Sequence, residues 1–303
     1  MSKLGKWCLG ILLCGVILVG ASWALGLRDF NIGNSAFRGE KKTRRLETVT
    51  DVTVKLTLQN FEIRQGGTYA AIEYPAYKDP SMRLDIQQEN GKLSIHAPKG
   101  KGGVQLNLSN ILDNEWKNQK IILFLPKDAK LKHIVVQQEI GNTQLNKVQA
   151  EQVKFTSSVG ELDADGCTIG NLNAESQTGG LRVSESNLSS SYLQSNVGAI
   201  QLHIKPSGTI EAHTNTAPIG VTTFGVKRVQ AILKSDTGEV SWQGKKMKNS
   251  YYRECEKPEA IFSLESDTGT VWMMDQDLET EEFNASMHDP MSIGISSEVK
   301  SQE

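Results

Sequence analysis

Across most of this chain, apolar residues recur two apart with polar residues between them. The runs D-V-T-V-K-L-T-L (51–58), M-R-L-D-I (82–86), K-L-S-I-H (92–96) and V-Q-L-N-L (104–108) alternate over their whole length. I-I-L-F-L-P (121–126) is a continuous apolar run closed by proline. A period of two places the apolar side chains of a run on one face, so each run predicts a strand buried on one side. Asn90-Gly91 stands between two of these runs and predicts a tight turn.

The second half of the chain repeats this pattern at a nearly fixed interval. A Ser-x-x-Gly tetrad ends at Gly160, Gly179, Gly198, Gly238 and Gly269, with looser copies at Gly141 and Gly220. Gly141, Gly160, Gly179 and Gly198 follow one another at 19 residues. Relative to the glycine, the position two after holds Leu162, Leu181, Ile200, Val240 and Val271, with Thr143 and Thr222 as exceptions. Four after stand Leu145, Ala164, Val183, Leu202, Phe224, Trp242 and Met273. Five before stand Val136, Phe155, Ala174, Leu193, Leu233 and Leu264; seven before stand Ile134, Val153, Leu172, Ala231 and Phe262, with Ser191 out of pattern.

Each copy therefore reads as strand, tight turn, strand, with the glycine supplying a turn position of positive φ. A meander of hairpins and a parallel stack both fit this reading. Recurrence of like side chains at one interval favours the stack, in which like packs on like and stability comes from neighbouring units. The expected fold is all-β: a parallel β-solenoid, or β-helix, with coils of about 19 residues, preceded by an N-terminal transmembrane helix.

That helix rests on residues 7–27, an uncharged run between Lys6 and Arg28. As a helix it spans about 32 Å, enough for a bilayer core. A cleavable signal peptide competes with a retained anchor. The length of the run and the poor small-x-small site at 22–24 favour the anchor. The expected organisation is a tail and anchor over 1–27, a basic linker over 28–45, a β region capping the array over 46–130, the repeat array over 131–274 and an acidic disordered tail over 275–303. Arg38, Lys41, Lys42, Arg44 and Arg45 follow the span closely, against the positive-inside tendency. The short amino-terminal tail nevertheless argues for a single-pass cell-membrane protein with its body extracytoplasmic.

Composition narrows the function. Thirty-three basic and 35 acidic residues give a net charge of −2, without the basic excess of a nucleic-acid binder. Cys167 and Cys255 are the only cysteines beyond the apolar run. They permit one disulfide but make no disulfide framework. The interval between Gly238 and Gly269 holds an insertion with Lys245, Lys246, Lys248, Tyr251, Tyr252 and Arg253, expected to project as a loop and to be a candidate for interaction.

The apolar amino-terminal segment, I-L-F-L-P-K-D-A-K-L (122–131) and the ladder of S-x-x-G-x-[LIV] units together resemble the bacterial putative-adhesin domain family, over about residues 49–274. The resemblance implies an extracytoplasmic β-solenoid on a membrane anchor, in a family whose relatives in part accompany envelope-stress regulatory systems. It implies no enzymatic activity and transfers no catalytic residue.

Candidate chemistry weighs the same way. D-T-G occurs twice, at Asp236 and Asp267, as in pepsin-like proteases, where two carboxylates share a proton. Sister copies hold Ser158-Val159, Gln177-Thr178 and Asn196-Val197 in that slot, which marks it as a turn. Glu161, Asp163, Asp165 and Glu175 are close enough in sequence for a carboxylate patch, for which a solvated face is the simpler reading. His203 and His213 have no partner at metal-ligand spacing, so no metal or cofactor is expected. The expectation is a non-catalytic membrane-anchored surface protein that binds cell-wall polymer or envelope proteins. An envelope-stress accessory and a carbohydrate-active β-helix enzyme are the alternatives.

Overall fold

The computed structural model describes residues 40–77, 83–98 and 120–276. The expected anchor, the strand at 104–108 and the acidic tail beyond 276 lie outside the described residues. The fold is all-β and solenoid-like, and it is built as two ladders of parallel strands.

The first ladder runs, in spatial order, through β6 (Lys92–His96), β2 (Asp51–Leu56), β8 (Leu131–Ile140), β10 (Gln149–Val159) and β12 (Thr168–Thr178). It continues through the second half of β13 (Leu181–Val197), β15 (Thr209–Thr214), β21 (Ala260–Ser266) and β17 (Val229–Ser235). The second ladder begins with β7 (Lys120–Pro126), β3 (Asn60–Gly67), β9 (Thr143–Asn146), β11 (Leu162–Asp165) and the first half of β13. It ends with β14 (Ile200–Pro206), β16 (Ile219–Thr223), β22 (Val271–Asp275) and β18 (Val240–Trp242). One coil is one strand from each ladder. Through the regular middle, partners lie 19 residues apart, as in Phe155↔Ala174 and Leu162↔Leu181.

The sequence columns become physical columns. Ile95, Val54, Val136, Phe155, Ala174, Leu193, Ala212, Leu264 and Leu233 stand in register through the first ladder, all buried. Large and small side chains alternate in places along it, which lets successive layers interdigitate at interior density. Ser191 occupies the neighbouring column between Leu172 and Ile210. It is buried, and its hydroxyl makes no hydrogen bond within the protein, so the residue that broke the sequence pattern leaves an unsatisfied polar group in the core.

Coil order in space departs from coil order in sequence at both ends. The pair β6/β7 follows β2/β3 in the chain but stacks outside it, and β8/β9 then adds to the opposite side of β2/β3. At the other end β17/β18 is made before β21/β22, yet β21/β22 sits between it and β15/β16. The expected sequential array over 131–274 is therefore interleaved at its end, and residues 46–130 contribute full coils to the same stack.

Antiparallel strands close both ends. At one end, β5 (Asp85–Glu89) turns at Asn90-Gly91 onto β6, β4 (Ala71–Ala76) pairs with β7, and β1 (Glu40–Arg45) pairs with β4. Residues 40–45 of the expected basic linker are thus strand. At the other end, β19 (Lys245–Met247) folds back on β18, and β20 (Ser250–Arg253) lies against β17. This corrects the projecting loop expected from the insertion: its backbone pairs with the terminal coil, because that coil would otherwise end in unsatisfied edges. Tyr251 stacks on Trp242 at 5.2 Å between ring centroids, Arg253 lies over the other part of that contact at 5.1 Å from the Trp242 ring, and Lys246 pairs with Glu239 at 3.0 Å.

Glu62 on β3 is 3% exposed and is held by charge. Burial alone would raise its pKa. The guanidinium of Arg64 and the ammonium of Lys120 outweigh that and keep it below the usual carboxylate value, and Asn146 Nδ2 donates a further bond at 2.7 Å. A carboxyl depressed in the folded state stabilises above its unfolded pKa, and that stability is lost as pH falls through the folded value. Thermal melts are expected to show the parent more stable than Glu62→Gln by about 1–3 kcal/mol at pH 7, with the two converging only as pH falls below the usual carboxylate range.

The interleaved end makes a second prediction. Ending the chain at residue 257 deletes β21/β22 from inside the stack rather than from its end. Residues 229–253 then lose both parallel partners, and hydrogen exchange is expected to find them unprotected. Protection there equal to that of the intact chain would contradict the observed order.

Candidate binding groove

The Ser-x-x-Gly turns lie along one edge of the first ladder, and the tetrad serine points inward. Gln138, Ser157, Ser176, Ser195, Thr214, Ser266 and Ser235 form one register column, all buried. Four of these serines tie their coil to its neighbour. Ser176 Oγ donates to the Gly160 carbonyl at 3.0 Å and Ser195 Oγ to that of Gly179 at 2.9 Å. Ser266 Oγ donates to the Ala217 carbonyl at 3.0 Å and Ser235 Oγ to that of Gly269 at 2.8 Å. In the last two copies the same oxygen accepts the N–H of its own glycine, Gly269 at 2.7 Å and Gly238 at 2.8 Å.

The glycine is needed for close approach more than for positive φ. A Cβ on Gly160, Gly179, Gly198, Gly238 or Gly269 would collide with the backbone carbonyl of the next coil's turn, and one on Gly141 would collide with the Gln59 carbonyl. Among the tetrad glycines only Gly141 and Gly179 have positive φ, at 142° and 143°. Left-handed backbone recurs instead at the corner after the second ladder, in Lys147, Gly166 and Glu185 at φ 58°, 62° and 48°. Gly220 is not a turn glycine. It lies within β16 opposite Gln201, where Trp272 packs over it, and Ala217 holds the turn slot. Ile219 and Val221, not Thr222 and Phe224, are its inward residues.

The two D-T-G turns, 31 residues apart in sequence, stack on adjacent coils. Thr237 N–H donates to the Asp267 carbonyl at 3.0 Å, and Thr237 Oγ1 reaches the same oxygen at 3.1 Å. Asp236 pairs with Lys234 at 3.2 Å. These are turn contacts in a ladder that continues through Asn215. The acidic patch is not assembled either: Asp163 and Asp165 lie on β11 in the second ladder, whereas Glu175 lies on β12 in the first. Among the described residues no group of three or more His, Cys, Asp or Glu is placed to hold a metal ion. His203 Nδ1 meets Glu185 at 2.8 Å, and His213 Nε2 meets Asn215 at 3.1 Å. Cys167 and Cys255 are both free thiols, and burial pushes the Cys167 thiol up to about 11.

What the turns do build is a groove of about 620 Å³ along their edge, within the range of small-molecule sites. One wall is an outward register row of His96, Lys55, Gln137, Thr156, Glu175 and Gln194, one residue per coil. At about 4.8 Å between strands this row is about 24 Å long. The floor includes Gln138, Ser157 and Ser176, and Glu139, Ser158, Gln177 and Asn196 form the rim. The sequence reading missed this site. Its residues were visible as polar positions of the repeat, but only the stack lines up one from each coil.

Residues 49–256 match the Toastrack DUF4097 family. The chain belongs to that family. No curated protein matches it. Among solved structures, it is similar to a putative cell adhesion protein from Clostridium sporogenes at 13% identity, covering 78% of this chain and 100% of that one, with a TM-score of 0.42. A putative adhesin from Bacteroides fragilis aligns at 15% identity over 78% and 96% of the two chains, with a TM-score of 0.43. A putative lipid binding protein from Parabacteroides distasonis aligns at 13% over 78% and 97%, with a TM-score of 0.33. The family match agrees with the resemblance read from the tetrads.

Ser157 stands apart from its column, since its hydroxyl has no hydrogen-bond partner in the protein. Ser157→Ala is therefore expected to change stability little. Ser176→Ala and Ser195→Ala each remove a coil-to-coil hydrogen bond to a turn carbonyl and are expected to cost about 1–3 kcal/mol. Chemical denaturation of the three variants checks the difference.

Proposed function

We propose that this chain is a non-catalytic, adhesin-like binding protein of the cell envelope, carried outside the cell membrane on the span at residues 7–27. The observation that carries this reading is the groove, in which a rigid stack presents one outward polar side chain per coil over six consecutive coils. Such a surface suits an extended ligand with repeated contacts, such as envelope polymer. Its two carboxylates, Glu139 and Glu175, stand on strands two coils apart, and the rest of its lining is largely amide and hydroxyl.

The basic insertion is a weaker candidate for the contact. Tyr251 and Arg253 are engaged with Trp242 in closing the stack, while Tyr252, 58% exposed, faces outward beside Ile232. Lys245, Lys246 and Lys248 charge a sheet edge, which opposes edge-to-edge pairing.

Labelled full-length chain in detergent is expected to bind isolated bacterial envelopes saturably, and a Glu175→Ala, Gln194→Ala double variant to bind at least tenfold more weakly at unchanged melting temperature. In cells, the chain is expected in the membrane fraction, with its body open to protease added from outside. Absence of envelope binding by the folded chain would remove this reading.

A further inference from the structure

We infer that the groove is a site for a neutral oligosaccharide lying along the axis of the stack. The inference rests on the binding role proposed above and names the ligand of the same site. Its first support is the type of group on the walls. Amides and hydroxyls each donate and accept hydrogen bonds, and here they come from Gln137, Thr156, Gln177, Gln194 and Asn196. Sugar hydroxyls have the same double character, so every orientation of a ring finds complementary partners.

The second support is charge. Lys55 stands against Glu139 and Glu175 in the groove, which leaves no positive field to attract a polyanion. Apolar lining is limited to Leu56 and Ala97, too little for an acyl chain or the anchor side chain of a peptide. A neutral polar polymer matches the amide and hydroxyl majority of the lining.

The third support is the unused hydroxyl. Ser157 is 2% exposed, lines the groove, and makes no bond within the protein, although Ser176 in the next coil does. Buried polar groups are nearly always satisfied, and rotation of this side chain toward the groove it lines would let a ligand hydroxyl supply the missing partner. Two residues before Gln194 on the same strand, Tyr192 is 41% exposed, and its hydroxyl donates to Gln194 Oε1 at 2.9 Å. That bond fixes the ring beside the groove, where its flat face can take the less polar face of a pyranose. The row repeats at the strand spacing, so binding strength should grow with ligand length until the row is filled.

The test is calorimetric titration of the full-length chain, in a detergent without a sugar headgroup, with a panel of neutral hexasaccharides. Cellohexaose and chitohexaose are included, with the corresponding monomers and polyphosphate alongside. At least one hexasaccharide is expected to bind, its monomer at least tenfold more weakly, and polyphosphate not at all. Gln194→Ala and Tyr192→Ala are each expected to weaken the hexasaccharide tenfold or more. Ser157→Ala is expected to weaken it severalfold without a change in melting temperature, and Ile232→Ser, far along the same face, to leave it unchanged. Failure of every hexasaccharide, preference for polyphosphate, or groove variants that bind like the parent would each overturn the inference. If envelope binding persists in any of those cases, the glycan assignment falls while the binding role stands; if envelope binding is also absent, both fall.

Discussion

The closeness of neighbouring coils at the Ser-x-x-Gly turns is the constraint on which the rest of the structure depends. Carbonyl oxygens of one turn sit where the next turn would carry a Cβ, so glycine is required and the coils can meet backbone to backbone. The serine four-atom reach then bridges the same gap, with its hydroxyl donating to the neighbouring carbonyl. A side chain at Gly160, Gly179 or Gly198 would push the neighbouring turn away, because its Cβ would fall within 2.1 Å of that turn's carbonyl oxygen. Because the serine column is buried, each bond operates away from competing water.

Once the turns fix the spacing, the core follows from stacking. Inward columns such as Val136, Phe155, Ala174 and Leu193 fill the space between ladders, and the outward columns are released from any packing duty. This division is why the groove can be so polar. Its wall residues bear on solvent, and the frame beneath them is held by a different set of side chains. In the two D-T-G turns the threonines add a hydroxyl bond to the neighbouring turn, while the serine and glycine hold the spacing as in the other copies.

The ends face another constraint, since parallel strands cannot simply stop without exposing an edge. Both ends are solved alike: the coil nearer the chain terminus lies inside, its neighbour in sequence is displaced outward, and antiparallel strands cover what remains. Interleaving ties the outermost coil to chain on both sides of it, so fraying of that coil must disturb the one beneath. The charged strand β1, whose residues are all exposed, and the lysines near β19 leave edges that repel rather than recruit.

The sequence by itself determined the strands, the inward faces and the 19-residue coil. Those depend on local alternation and on glycine and serine recurring in one slot, and both are written along the chain. It misplaced the copy at Gly220, where glycine serves Trp272 rather than a turn, because a single residue type cannot reveal which neighbour demands it. It assigned positive φ to every tetrad glycine, whereas only Gly141 and Gly179 among them have it, and positive φ recurs from coil to coil at Lys147, Gly166 and Glu185, where only one of the three residues is glycine. The order of coils at the ends, the capping role of Lys245, Tyr251 and Arg253, and the groove were decided only by the tertiary structure. Each depends on which coil lies beside which, and that choice is made by edges seeking partners far away in sequence.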